Sequence, residues 1–117
     1  MNRRGVPAEN LAAAFLESRG LKVVERNYRC RFGEIDLIAA SGATLVFVEV
    51  RARRSTAFGG AAASITAAKR RRLVAAARHY LARRRVAGAC RFDVVLLQGD
   101  EPRIEWVADA FGAEGRG

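Results

Sequence analysis

Lysine is almost missing from this chain. Of its 21 Lys and Arg residues, only Lys22 and Lys69 are lysine. Histidine occurs once, at His79, and cysteine twice, at Cys30 and Cys90. Neither cysteine lies in a CxxC or Cys/His spacing, so the pattern supplies no zinc site. Whether the two thiols pair is left open by the sequence. Met1-Asn2-Arg3-Arg4 leads into Gly5-Val6-Pro7 without the apolar core of a secretory signal. No apolar run approaches the length of a membrane span, so no membrane partner is expected. These absences point to a reducing cytoplasm, with both cysteines as small core residues. Acidic residues are also scarce, 12 against 21 basic ones, which gives a net charge of +9. Such a surface suits a polyanion, most simply nucleic acid, although a ribosomal or acidic protein surface fits the same charge.

Half of the 117 residues are hydrophobic. That composition is globular, and the length allows one domain over residues 1–117 with a modest core. Order is expected over about residues 5–111, with disorder in the glycine-rich tail 112–117.

The most informative stretch is Gly33-Glu34-Ile35-Asp36-Leu37-Ile38-Ala39-Ala40, the turn Ser41-Gly42-Ala43, and Thr44-Leu45-Val46-Phe47-Val48-Glu49-Val50-Arg51. Two apolar runs around a Gly-containing turn form a hairpin signal. Mirror pairing about Gly42-Ala43 sets Asp36 opposite Glu49 and Glu34 opposite Arg51. Side chains alternate along a strand, so these four share one side, while Ile35, Leu37, Val48 and Val50 take the other. Like charges directly opposite one another destabilise a hairpin. Asp36 and Glu49 therefore call for a cation between them. Mg²⁺ favours one or two carboxylates, completed by water and phosphate oxygens. A shifted register, or an arginine paired with Glu49, is the alternative.

The remaining elements follow from pattern. A first helix is expected from Pro7 to about Arg19, closed by Gly20 and carrying Leu11, Ala12, Phe15 and Leu16 on its apolar stripe. Glu9 in its first turn either suits the helix N-terminus or reaches towards Asp36. A strand over residues 21–24 frays through residue 28. Residues 51–64 read as a small-residue loop flanked by arginines. Ser64 is a plausible cap for a long helix to about Arg85. Lys69, Leu73, Ala76 and Tyr80 share its inward face, and Arg70, Arg71 and Arg72 fan around it. His79 has no evident partner and reads as a bystander. A strongly apolar strand follows over residues 90–97, in which Asp93 reads as structural. An edge strand covers residues 103–107. A long helix between the third and fourth strands implies a βαβ crossover in a mixed sheet, hence an α/β or α+β domain.

Asp36 followed by Glu49-Val50-Arg51 has the shape of the PD-(D/E)xK nuclease motif, except at its last letter. Taken whole, the chain resembles the YraN family of small bacterial proteins described as candidate endonucleases. The resemblance rests on Ala8-Glu9-Asn10-Leu11-Ala12, Gly33 to Ala39, Leu45 to Arg51, Phe58-Gly59, Lys69 to Leu73 and Arg91 to Val95. It spans about residues 5–111. That family is similar to archaeal Holliday-junction resolvases. The resemblance therefore implies an α/β restriction-endonuclease-like fold in the order α-β-β-β-α-β-β, with two main helices flanking the sheet.

It also implies site roles. Asp36 and Glu49 would hold Mg²⁺ or Mn²⁺, with the Val50 carbonyl as a further ligand, and Glu9 would complete the acidic site through water. Glu34 would contact a basic residue such as Arg51. The family usually carries lysine where this chain has Arg51. Arginine stays protonated and cannot act as a base, but it can hold phosphate. Lys69 could supply the missing ammonium. Arg51, Arg53, Arg54, Lys69, Arg70, Arg71 and Arg72 would hold the DNA backbone. The expected activity is metal-dependent hydrolysis of DNA phosphodiesters, on branched or damaged DNA, by a homodimer if the resolvase analogy extends that far. The alternatives are a non-cutting nucleic-acid-binding module, or an adaptor in repair or recombination that docks through the edge at residues 103–107.

Overall fold

A computed structural model describes residues 7–53, 65–99 and 102–112. The elements are α1 (Ala8–Ser18), β1 (Lys22–Cys30), β2 (Gly33–Ser41), β3 (Thr44–Arg53), α2 (Ala67–Arg84), β4 (Cys90–Gln98) and β5 (Arg103–Phe111). The five strands form one sheet in the order β1-β2-β3-β4-β5. All neighbours are antiparallel except β3 and β4, which run parallel and are joined by α2. This is the mixed, two-sided α/β sheet and the element order expected for a restriction-endonuclease-like fold.

The sheet is buried on both faces, which explains why its central strands read as nearly continuous apolar runs. On one face, Ala12, Ala13 and Leu16 of α1 pack over Leu37, Ala39, Val46, Val48, Val95 and Leu97. On the other, Leu73, Val74, Ala76, Ala77 and Tyr80 of α2 pack over Ile38, Phe47, Phe92, Val94 and Leu96. The inward stripe Leu73, Ala76, Tyr80 is therefore as expected. An aromatic row reinforces this face: Phe47 stacks on Phe92 at 5.6 Å between ring centroids, and Phe92 on Phe111 at 5.2 Å. Each such ring contributes about 1.5–3 kcal/mol by burial.

The β2–β3 hairpin has the expected mirror register, from Ser41–Thr44 through Leu37–Val48. Its two-residue loop is Gly42-Ala43, with Gly42 at φ +59°. A left-handed first loop residue is the pattern of a type II′ turn, which matches the twist of the flanking strands.

Several boundaries differ from expectation. The long helix is capped by Thr66, whose hydroxyl accepts from Lys69 N–H at 3.2 Å, and not by Ser64. The first strand continues to Cys30 instead of fraying, because β2 pairs with it along that length. The last strand runs on to Phe111, anchored by the ring stack on Phe92. β3 takes in Arg51, Ala52 and Arg53, which the sequence places in a loop. The rest of that segment, with Arg54, Phe58 and Gly59, and the tail from residue 113, lie outside the described residues.

Side-chain alternation also breaks within β2. Ile35 joins the core under α2, whereas Leu37, two residues on, joins the core under α1. The chain must turn over between them, at Asp36. On β1 the position facing Asp36 is Asn27, bracketed by the pairs Arg26–Leu37 and Tyr28–Ile35. Asn27 has φ +53°. Asparagine tolerates that left-handed conformation better than most residues. The expectation that Ile35 and Leu37 share a face is thus overturned by a twist that both strands make at one level.

Both cysteines are free and pack half-buried at the rim of the α2-side core. His79 is not a bystander. Its Nδ1 lies 2.5 Å from the Tyr28 hydroxyl, a hydrogen bond that ties α2 to β1.

Candidate functional site

The twist at Asp36 opens a cleft. Beyond Leu37 and Val48 the β2–β3 ladder stops. β3 continues alongside β4, pairing Glu49 with Val94 through Arg53 with Gln98. One edge of β3 is thereby released, and the Asp36 carboxylate fills in for the absent strand partner. Its Oδ2 accepts from Val50 N–H at 2.8 Å. An aspartate within a strand otherwise lacks reason to be there; here it satisfies a backbone donor that the diverging strand leaves behind.

The cleft has a volume of about 310 Å³. Its lining carries the carboxylates Glu34, Asp36 and Glu49 from β2 and β3, with Arg51 from β3 and Lys69 and Arg72 from α2. α2 delivers the last two because Thr66 fixes its first turn and Leu73, one turn beyond Lys69, is buried against the sheet. Lys69 Nζ lies 3.4 Å from Glu49 Oε2. The Glu49 side chain is 13% exposed and that of Lys69 39%, so the carboxylate is fixed in the wall while the ammonium reaches it from solvent. Gly33 closes the cleft at the start of β2, with φ +151° and Arg72 Cβ 3.5 Å from where its own Cβ would stand.

The electrostatics are unbalanced at Asp36. Its carboxyl is pushed up to about 7, first by burial, then by Glu49, Glu34 and Glu9, while the bond from Val50 N–H pulls the other way. A proton or a cation relieves that charge. Metal ligation is consistent with the donor set. Asp36 and Glu49 offer two carboxylates in a cleft roomy enough for water, the pattern Mg²⁺ prefers. Among the described residues, no group of three or more His, Cys, Asp or Glu side chains has metal-holding geometry. Water and phosphate oxygens would have to complete any coordination.

The expected residues sort as follows. Asp36, Glu49, Val50, Arg51, Lys69 and Arg72 come together. Glu9 does not line the cleft; its Oε1 accepts from Asn27 Nδ2 at 2.9 Å, one strand away from Asp36. Glu34 pairs with Arg29 at 2.8 Å and not with Arg51, because Arg29 is its direct partner across β1–β2. Arg70 turns away from the cleft, with its guanidinium 5.4 Å from the Phe111 ring centroid. Arg71 is exposed, and Arg53 is half-buried at the end of β3. Arg54 lies outside the described residues. The sequence reading missed Gly33 and Asn27; an asparagine amid strand-forming residues was the available signal.

Asp93 is fully buried on the α1 side. It accepts from Arg91 Nε at 3.0 Å and Nη2 at 3.2 Å, from Trp106 Nε1 at 2.9 Å and from Asp109 N–H at 2.9 Å. Four bonds occupy its oxygens, which bears out the structural role.

A cleft lined by carboxylates and cations on a mixed α/β sheet places the chain by class, and sequence comparison places it by family. Residues 8–97 match the model of the family described as uncharacterised protein family UPF0102, and the chain belongs to that family. Its relatives include UPF0102 proteins of Nitrosospira multiformis (58% identical, covering 92% of each chain) and Nitrosomonas europaea (59% identical, 92% of each). A third, from Methylobacillus flagellatus, is 56% identical over 97% of this chain and all of the relative. No helix among the described residues is long and apolar enough to cross a membrane.

Proposed function

We propose that this protein is a Mg²⁺- or Mn²⁺-dependent endonuclease that hydrolyses DNA phosphodiesters. One observation carries the reading: Asp36 and Glu49 share a cleft with Arg51, Lys69 and Arg72. A carboxylate pair among three cations suits a metal ion and a phosphodiester bound together. When bound, the metal would supply a lowered water pKa and charge stabilisation at phosphorus.

The chain's own residues do the rest. Asp36 and Glu49 would hold the cation, with the Val50 carbonyl as a candidate third ligand. The Val50 N–H holds Asp36 in orientation. Glu9, set by Asn27, adds negative field behind Asp36. Arg51 and Arg72 bind phosphate oxygens, and Arg71 and Arg53 extend the track along the backbone. Phosphate contacts carry no base sequence, so discrimination would come from DNA shape, including branched or damaged forms.

The test is nicking of supercoiled plasmid and of branched oligonucleotides with Mn²⁺. Cutting by the wild-type chain and not by Asp36→Asn is expected; equal cutting by both sinks the reading. One observation favours a second reading, a DNA-binding module without activity: Arg51 stands where the motif carries lysine. Tight, salt-sensitive binding without any metal-dependent cutting would establish that one.

A further inference from the structure

We propose that the ammonium this site uses on the scissile phosphate comes from α2, as Lys69, and not from the end of the β3 motif. The inference rests on the endonuclease reading and names a residue role within it.

The three cations of the cleft are not equivalent. Among the described residues lining the cleft, Lys69 is the cation seen against a lining carboxylate, Glu49 Oε2 at 3.4 Å. Arg51 stands at the motif position, but its Nε is buried without a hydrogen-bond partner. Its planar, strand-borne guanidinium suits a fixed phosphate clamp and cannot give up a proton. Lysine presents a compact charge on a flexible four-carbon stem. The first turn that carries Lys69 is fixed by Thr66, whereas the head group is open to solvent. A contact of 3.4 Å on a part-exposed side chain is easily exchanged.

Glu49 and Lys69 therefore form a placeholder pair. With the cleft free, the ammonium neutralises Glu49. With Glu49 engaged by a divalent cation, the Lys69 ammonium would be free to donate to a non-bridging phosphate oxygen. In the hydrolysis a water oxygen bonds to phosphorus and the P–O bond to the leaving sugar oxygen breaks. One water proton passes to solvent, and the leaving oxygen takes a proton from solvent. Lys69 keeps its protons throughout and acts on the charge that builds on the phosphate.

The full chain provides the test, with two readouts. Calorimetric titration with Mn²⁺ alone, without DNA, is expected to show Lys69→Met binding the ion about fivefold more tightly than wild type, because a competing cation is gone. Cleavage at saturating Mn²⁺ is expected to fall about 100-fold in the same variant. The double variant Lys69→Met with Arg51→Lys is expected to recover cleavage to within about tenfold of wild type, since an ammonium is restored from the other side. Weaker Mn²⁺ binding by Lys69→Met, or no recovery in the double variant, overturns the proposal. If Lys69→Met cuts like wild type while Asp36→Asn is dead, this proposal fails and the endonuclease reading stands. If Asp36→Asn cuts like wild type, the endonuclease reading itself fails.

Discussion

Asp36 Oδ2 accepts the Val50 N–H at 2.8 Å at the level where β2 and β3 part company. One bond thus serves two purposes. It satisfies a strand edge that would otherwise lack a partner, and it fixes a carboxylate that lines a cleft together with Glu49. The sheet remains intact while a charge is held where burial opposes it.

That opposition should be visible in stability. The Asp36 carboxyl sits at about 7 in the fold against 3.8 for an ordinary aspartate. Between about pH 4 and 7 the folded chain holds a proton that the unfolded chain has released. Stability contributed by this group is therefore present at low pH and is lost as pH rises through about 7. Discounted for a half-buried group, the loss is about 2 kcal/mol. Urea denaturation at pH 5 and pH 8 should show it, and Asp36→Asn should flatten the slope and be the more stable form at pH 8. A wild-type stability that rises over this window would refute the assignment.

A divalent cation should reverse the same penalty. Ligation needs the ionised carboxylate, so Mn²⁺ and the proton compete for Asp36. At pH 8, Mn²⁺ at about 100 times its dissociation constant should stabilise the fold by about 2.7 kcal/mol, read as a rise in melting temperature. The rise should shrink at pH 5.5 and vanish in Asp36→Asn with Glu49→Gln. A rise of the same size in that double variant would place the ion elsewhere.

Arg72 is exposed on α2 and lines the cleft. If it contacts one phosphate, Arg72→Ala should lower the slope of log affinity against log salt by about 1, with equal effect on unrelated DNA sequences. Fluorescence anisotropy across a salt series measures this. An unchanged slope would remove Arg72 from the DNA track.

The fold was legible because its signals are local and agree with one another. Gly42 fixed the hairpin and hence the mirror register, and the spacing of Lys69, Leu73, Ala76 and Tyr80 fixed which side of α2 faces the sheet. What escaped was non-local. Nothing near Ile35 in sequence announces the twist at Asp36, which coincides with the left-handed Asn27 facing it in another strand. The partner of His79 is 51 residues away, at Tyr28. Glu34 had several arginines within reach, and pairing it with Arg29 required the β1–β2 register, which the sequence does not set.

Asp93 supplies a contrast with Asp36. Both are carboxylates inside apolar strands, yet Asp93 carries bonds from Arg91, Trp106 and the backbone of Asp109. Asp109 has φ +54°, within the bulge where β5 slips register against β4 between Phe92 and Val94. The Asp93 side chain thus holds a strained stretch of the edge strand and neutralises a partly buried arginine. Asp93→Ala leaves Arg91, Trp106 and the Asp109 N–H unpaired together and should cost about 3–5 kcal/mol. Asp93→Asn keeps some of these bonds and should cost less. Neither should move Mn²⁺ affinity in protein that remains folded, since Asp93 lies on the sheet face opposite α2. Denaturant melts paired with Mn²⁺ titration decide the matter. A changed Mn²⁺ affinity in folded Asp93→Asn would mean that the two faces of the sheet are coupled.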